Sequence, residues 1–268
     1  MDAETLKTAF RQADGLIITA GAGMGVDSGL PDFRGPQGFW HAYPALGRAR
    51  IAFEEIANPM AFHRDARQAW GFYGHRLSLY RQTLPHTGYA GLLGLSEALF
   101  HRSFVFTSNV DGQFQKAGFS ENRVVECHGS IHVLQCLNLC GEGAWSASEI
   151  DPVVDRDSGR LISELPRCPH CNGVARPNIL MFGDGGWIES RTRMQEENYG
   201  RWRREVRRPV VVEVGAGTWI PTVRRFGESQ GCPLIRINPR DFETSAPWET
   251  GIAAGAADGI AALCRLLS

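Results

Sequence analysis

Five apolar runs of four or five residues punctuate this chain: Leu16–Thr19, Phe104–Thr107, Val124–Cys127, Val210–Val214 and Leu234–Ile237. They are rich in Val, Ile and Phe and are bounded by Gly, Asn, Asp or Pro, the pattern of strands buried on both faces. Helical patterns lie between and around them, near Glu4–Ala13, Pro59–Arg81, Tyr89–Phe100, Arg191–Arg207, Thr222–Ser229 and Ile252–Leu267. Strands that alternate with helices imply a parallel sheet covered on both sides, hence an α/β fold. A length of 268 residues suits one large domain of this class, or one with a small insertion.

The rhythm breaks between Cys136 and Cys171. This stretch holds two close cysteine pairs, Cys136/Cys140 and Cys168/Cys171, around a Gly/Ser/Asp-rich segment with weak periodicity. Four thiolates from two turns suit a closed, tetrahedral, structural zinc site. We read the segment as an inserted module that lacks a core of its own and needs the metal. Cys127, Cys232 and Cys264 read as free buried thiols.

The bulk numbers exclude several classes. Hydrophobic residues make up 43% and charged residues 21%, which allows a substantial core. A net charge of −1 argues against nucleic acid as a partner. No stretch is apolar for long enough to span a membrane. The first residues, MDAETLKTAF, show no secretory pattern, so the expected location is the cytoplasm.

Gly21-Ala22-Gly23-Met24-Gly25 follows the first apolar run directly. Glycines at a strand-to-helix turn let the backbone approach a phosphate, although such turns are also common as plain structure. No acidic residue closes a second strand roughly 20 residues on, as the ordinary dinucleotide fold requires. The continuation Ser28-Gly29-Leu30-Pro31-Asp32-Phe33-Arg34-Gly35 is more specific. The whole run GAGMGVDSGLPDFRG resembles the sirtuin signature GAGxSxxSGIPDFR, with Gly25 where that family usually has serine. Other motifs follow in the family's order. Thr107-Ser108-Asn109-Val110-Asp111 is similar to TQNID, with Ser108 in place of glutamine. Cys127-His128-Gly129-Ser130 carries the HGS context, and Arg176–Asp184 resembles RPxVVxFGE. Gly215-Ala216-Gly217-Thr218 stands where the family has GTS, one residue nearer to Pro221 than usual. The likeness runs from about Gly15 to Ala261.

The resemblance implies a Rossmann-like domain, about 1–128 and 172–268, and a zinc-binding insert, about 129–171, with a helical part at about 36–85. It implies NAD as co-substrate and acylated protein lysines as partners. Gly21, Ala22, Gly23, Asp32, Phe33, Arg34, Ser108, Gly215, Gly217 and Asn238 would contact NAD. Asn109 and Asp111 would hold the nicotinamide amide; read without the family, Asn-x-Asp is equally an Asx turn that starts a helix. His128 would be the general base, since imidazole titrates near neutral pH. Phe182 and Gly183 would pair with the substrate peptide as an added strand.

The helix Pro59–Arg81 holds Tyr73 and Arg76, three residues apart and therefore on one face. They resemble the Tyr-x-x-Arg pair of the sirtuin branch that removes succinyl, malonyl and glutaryl groups. An arginine grips a carboxylate through two bonds, and a tyrosine adds a hydroxyl. An amphipathic helix with an incidental Tyr and Arg is the plainer reading. The expected activity is lysine deacylation on acetyl and acidic acyl groups. ADP-ribosyl transfer or NAD hydrolysis is the first alternative, and a non-catalytic binding module the second.

Overall fold

The structure is a computed structural model and describes residues 1–31, 35–141 and 143–268. In chain order its elements are α1 (Ala3–Gln12), β1 (Gly15–Ala20), α2 (Gly35–Ala42), α3 (Pro44–Arg48), α4 (Phe53–Ile56), α5 (Pro59–Gln82), α6 (Thr87–Glu97), β2 (Ser103–Thr107), α7 (Gln113–Lys116) and β3 (Val124–Glu126). Then come β4 (Gly129–Cys136), β5 (Ala144–Ser146), β6 (Val154–Asp155), β7 (Arg160–Leu161), β8 (Ala175–Ile179), α8 (Ser190–Glu205), β9 (Pro209–Val214), α9 (Thr222–Ser229), β10 (Leu234–Ile237), β11 (Glu249–Ile252) and α10 (Ala256–Leu267).

Six strands form one parallel sheet in the order β3-β2-β1-β9-β10-β11. This is the doubly wound, Rossmann-like arrangement, in which the chain reverses direction across the sheet between β1 and β9. The strands are continuous apolar runs because both faces are covered. Along β1, Leu16, Ile18 and Ala20 pack with α1, α6 and α10, while Ile17 points the other way toward Trp202 of α8. One expected helix needs correction. Residue Ile252 does not begin it but ends β11, paired in parallel with Ile237, and α10 starts at Ala256.

A second, antiparallel sheet, β5-β4-β8, and the hairpin β6–β7 build the smaller module. Strand β8 pairs with β4 from Gly129↔Ile179 to Cys136↔Ala175, so this sheet continues past 171 to Ile179. The module shares its core with α5: Trp70, Phe72 and Tyr73 pack with Ile131, Leu134, Leu161 and Ala175. The indole N–H of Trp70 donates to the carbonyl of Ala175 at 2.8 Å. The insert and the long helix thus share one hydrophobic cluster. No helix among the described residues is long and apolar enough to cross a membrane.

Candidate active site

Ligands of open parallel sheets bind beyond the carboxyl ends of the strands, at the point where strand order reverses. A cavity of about 830 Å³ opens there, walled on the far side by α5 and by the segment Ile179–Phe182. Gly21, Ala22 and Gly23 reach it from the end of β1, and Gly215 and Gly217 from the end of β9. The two loops are pressed together. Gly23 N–H donates to Gly215 O at 3.0 Å, and Gly215 N–H donates to Ile237 O at 2.9 Å. Gly215 has φ +61°, and a Cβ there would lie 2.3 Å from the Gly23 carbonyl carbon, so only glycine fits. At Gly217 an added Cβ meets nothing within 4 Å. Gly25, which stands where serine is usual, faces Leu30, whose Cδ1 would be 3.0 Å from an added Cβ.

The end of β2 contributes Ser108, Asn109 and Asp111 to the same cavity. Asn109 is buried; its backbone N–H donates to Thr107 Oγ1 at 3.0 Å and its Nδ2 to Gly21 O at 2.9 Å. Its side-chain amide thus ties the end of β2 to the turn after β1. Asp111 makes an Asx turn: its Oδ1 accepts from Gln113 N–H at 2.9 Å, where α7 begins. Burial raises the Asp111 carboxyl to about 6, against the opposing pull of that hydrogen bond and of Arg76.

His128 lines the cavity from the turn between β3 and β4. Gly129 fixes that turn, with φ +76° and the Asn178 carbonyl 2.1 Å from where a Cβ would sit. The preceding strand is anchored by α8, as Thr192 Oγ1 donates to Glu126 O and Glu126 N–H donates to Gln195 Oε1, both at 3.0 Å. Desolvation lowers the His128 pKa below its ordinary value of 6.5, which favours the neutral ring.

Tyr73 and Arg76, the pair singled out in the sequence, line the cavity from α5. Phe182 lines the cavity too, whereas Gly183 does not; it forms a left-handed turn at φ +63°. The segment is braced by the buried ion pair of Arg176 and Asp184, 2.8 Å apart, and by Gly186 N–H donating to Asp184 Oδ1 at 3.1 Å.

Asn238 is not brought to the cavity wall. Its Nδ2 donates to Ala216 O, and its Oδ1 accepts from the backbones of Arg240 and Asp241, all at 3.0 Å. It shapes the loop from which Asp241 reaches the wall. Asp32, Phe33 and Arg34 lie outside the described residues. Sequence reading had not singled out Tyr80, Phe53, Trp219 or Asp241, which also line the cavity. Only Tyr80 had a signal, four residues after Arg76 on one helix.

The sulfur atoms of Cys136, Cys140, Cys168 and Cys171 lie within 4.8 Å of one another, and two pairs are 3.5 Å apart. Zinc–sulfur bonds of about 2.3 Å place tetrahedral sulfurs about 3.8 Å apart, so the four thiolates fit a structural zinc ion. None of the four lines the cavity.

Comparison with known proteins agrees with this geometry. A model described as "Sir2 family" matches residues 21–199. A protein of Danio rerio named NAD-dependent protein deacylase sirtuin-5, mitochondrial, is 31% identical over 198 residues, covering 68% of this chain and 61% of the relative. An NAD-dependent protein deacylase of Pyrococcus furiosus is 36% identical over 168 residues, covering 63% of this chain and 60% of the relative. The chain thus spans about three-fifths of the length of these two relatives. An NAD-dependent protein deacylase 1 of Archaeoglobus fulgidus is 28% identical over 243 residues, 89% of this chain and 86% of that one. Among solved structures, a Sir2 homologue–NAD complex superposes with a TM-score of 0.71 at 24% identity, covering 100% of this chain and 94% of its own. That likeness speaks to the fold.

Proposed function

The chain belongs to the Sir2 family, and from that premise we propose that it removes acyl groups from protein lysines with NAD as co-substrate. With one water consumed, the products of that reaction are free lysine, nicotinamide and O-acyl-ADP-ribose. What supports the reading most is that Asn109 and Asp111, from the end of β2, and His128, from the turn after β3, face one cavity where the strand order reverses. The glycine loops fit a dinucleotide, since they leave backbone rather than side chains on the wall.

Bound NAD supplies a glycosidic bond that breaks as the acyl oxygen takes over the ribose carbon. The chain's own groups prepare that event. Asn109 is held rigid by Gly21 and presents its remaining amide capacity to a carboxamide. Asp111, when ionised, accepts from the carboxamide NH₂. A ring nitrogen of the neutral His128 would take the proton of a ribose hydroxyl of the bound co-substrate and so activate that oxygen toward the acyl carbon. The largely apolar cavity wall lowers the local dielectric and so strengthens each polar contact. Phe182 and its neighbours offer backbone carbonyls to the substrate peptide, the N–H groups of Leu180 and Phe182 being bonded to His128 O and Ala57 O.

Tyr73 and Arg76, buried on α5, favour acidic acyl groups beside acetyl. A reducing compartment such as the cytoplasm suits a protein that carries four zinc-binding thiols.

The test is a panel of acetyl-, succinyl- and malonyl-lysine peptides with NAD, scored for nicotinamide and product mass. O-acyl-ADP-ribose is expected, and His128→Ala should abolish it while zinc content is kept. Arg76→Ala should lower succinyl turnover much more than acetyl turnover. Nicotinamide release without O-acyl-ADP-ribose means ADP-ribosyl transfer or NAD hydrolysis instead. No release with any peptide leaves only a binding module.

A further inference from the structure

Tyr80 stands one helical turn beyond Arg76 on α5, so the two side chains share a face. Both are buried in the cavity wall, Arg76 at 8% exposure and Tyr80 at 5%. Nε and Nη2 of Arg76 both donate to the Tyr80 hydroxyl oxygen, at 3.0 and 2.7 Å. Those two N–H groups form one of the edges with which a guanidinium grips a carboxylate. The guanidinium carbon also lies 5.2, 5.9 and 5.3 Å from the ring centroids of Phe72, Tyr73 and Tyr80, within cation–π range.

A charge this deep needs acceptors for its N–H groups. The end of an acetyl group is apolar and brings none, and its arrival displaces water from the arginine. A succinyl or malonyl group brings a carboxylate. Tyr80 answers the first case from within the protein, since its oxygen already fills the edge that the neutral substrate leaves unserved.

We propose that Tyr80 is a specificity-determining residue: an internal acceptor that stands in for the acyl carboxylate at the Nε–Nη2 edge of Arg76, so that one pocket serves neutral and anionic acyl-lysines alike. The proposal rests on the deacylase reading above. It follows that removing the hydroxyl penalises neutral acyl groups, while an acidic group supplies the missing acceptor at that edge itself.

The experiment is calorimetric binding of acetyl-lysine and succinyl-lysine peptides of one sequence to the full chain, without NAD, for the unaltered protein and for Tyr80→Phe. The ratio of succinyl to acetyl affinity is expected to rise about tenfold in Tyr80→Phe, mainly through weaker acetyl binding, as for loss of a hydrogen bond to a charged group. In an Arg76→Met background the same change should leave the ratio unmoved, because the edge it serves is gone. If Tyr80→Phe does not fold, Tyr80→Met gives the same comparison. An equal loss for both peptides, or a shift that persists in the Arg76→Met background, overturns the proposal alone. Binding of neither peptide by the unaltered protein overturns the deacylase reading and the proposal with it.

Discussion

The side-chain amide of Asn109 donates to the carbonyl oxygen of Gly21 across 2.9 Å, joining the end of β2 to the turn that follows β1. That turn is itself bonded to the end of β9, since Gly21 N–H donates to Val214 O at 3.1 Å. Asn109 is therefore both a wall of the cavity and a stitch in its frame. Asn109→Ala removes a donor from a buried carbonyl and the amide aimed at the cavity. We expect nicotinamide release to fall about 100-fold, as when one transition-state donor is lost. Unfolding free energy should fall by about 1–3 kcal/mol. Activity assays beside urea denaturation separate the two effects; full activity at unchanged stability would contradict both.

The pH profile follows from His128. Desolvation holds its pKa below 6.5, so the ring is neutral and able to accept a proton at neutral pH. Asp111, raised to about 6, must be ionised to accept from the carboxamide. Both groups lose function as pH falls, so kcat/KM should be level above neutrality and decline on the acid side only. The decline should involve two protons, measured between about pH 5 and pH 8. A profile that instead falls on the alkaline side would remove His128 as the base.

The zinc cluster acts at a distance. Cys136 ends β4, and the other end of β4 is Gly129, the residue after His128. Strand β8 returns from the second cysteine pair and bonds along β4 up to Gly129. Metal loss should unfold the two strands together, and the turn that aims His128 with them, so activity is lost only with the fold. Cys168→Ser should therefore lower zinc content below one ion per chain, lower the Tm, and reduce activity in the same proportion as the folded fraction. Metal analysis and thermal melts check this. Residual activity per folded molecule should stay near normal, because none of the four sulfurs lines the cavity.

How much of this was legible in the sequence depends on how local each signal is. The Val-rich strands could be read because burial on both faces demands apolar residues throughout; Leu234–Ile237 is the strand end to end. Strand β11, Glu-Thr-Gly-Ile, could not, because it lies at the sheet edge and is only partly buried. The cysteine pairs were legible because metal ligation fixes spacing within each turn. The insert's sheet was not, since its apolar residues are completed by α5, about sixty residues earlier in the chain. For Asn238, position alone did not reveal that its amide serves the backbone of its own loop and of the loop after β9. Tyr80 was missed for the converse reason: its partner is near in sequence, but the contact depends on two side-chain conformations.

Asp111 gives a stability prediction of opposite sign to its activity. Its carboxyl rises from 3.8 to about 6 on folding, with burial as the main cause. A group whose pKa is raised in the folded state contributes stability in full below its unfolded value, and that contribution is lost as pH rises through the folded value. The ionised Asp111 thus weighs against folding above pH 6, by about 3 kcal/mol for a shift of about two units. Asn at this position retains an oxygen that can accept from Gln113 N–H but has no charge to desolvate. Asp111→Asn should therefore match the unaltered protein in stability near pH 4 and exceed it near pH 8 by about 1–3 kcal/mol, while nicotinamide release is lost. His128 works the other way: its lowered pKa gives stability that is present above 6.5 and fades as pH falls, in both proteins alike. Urea denaturation of the two proteins at both pH values isolates the Asp111 contribution as the difference between them. Equal differences at both pH values would mean that the carboxyl is not held above its ordinary range.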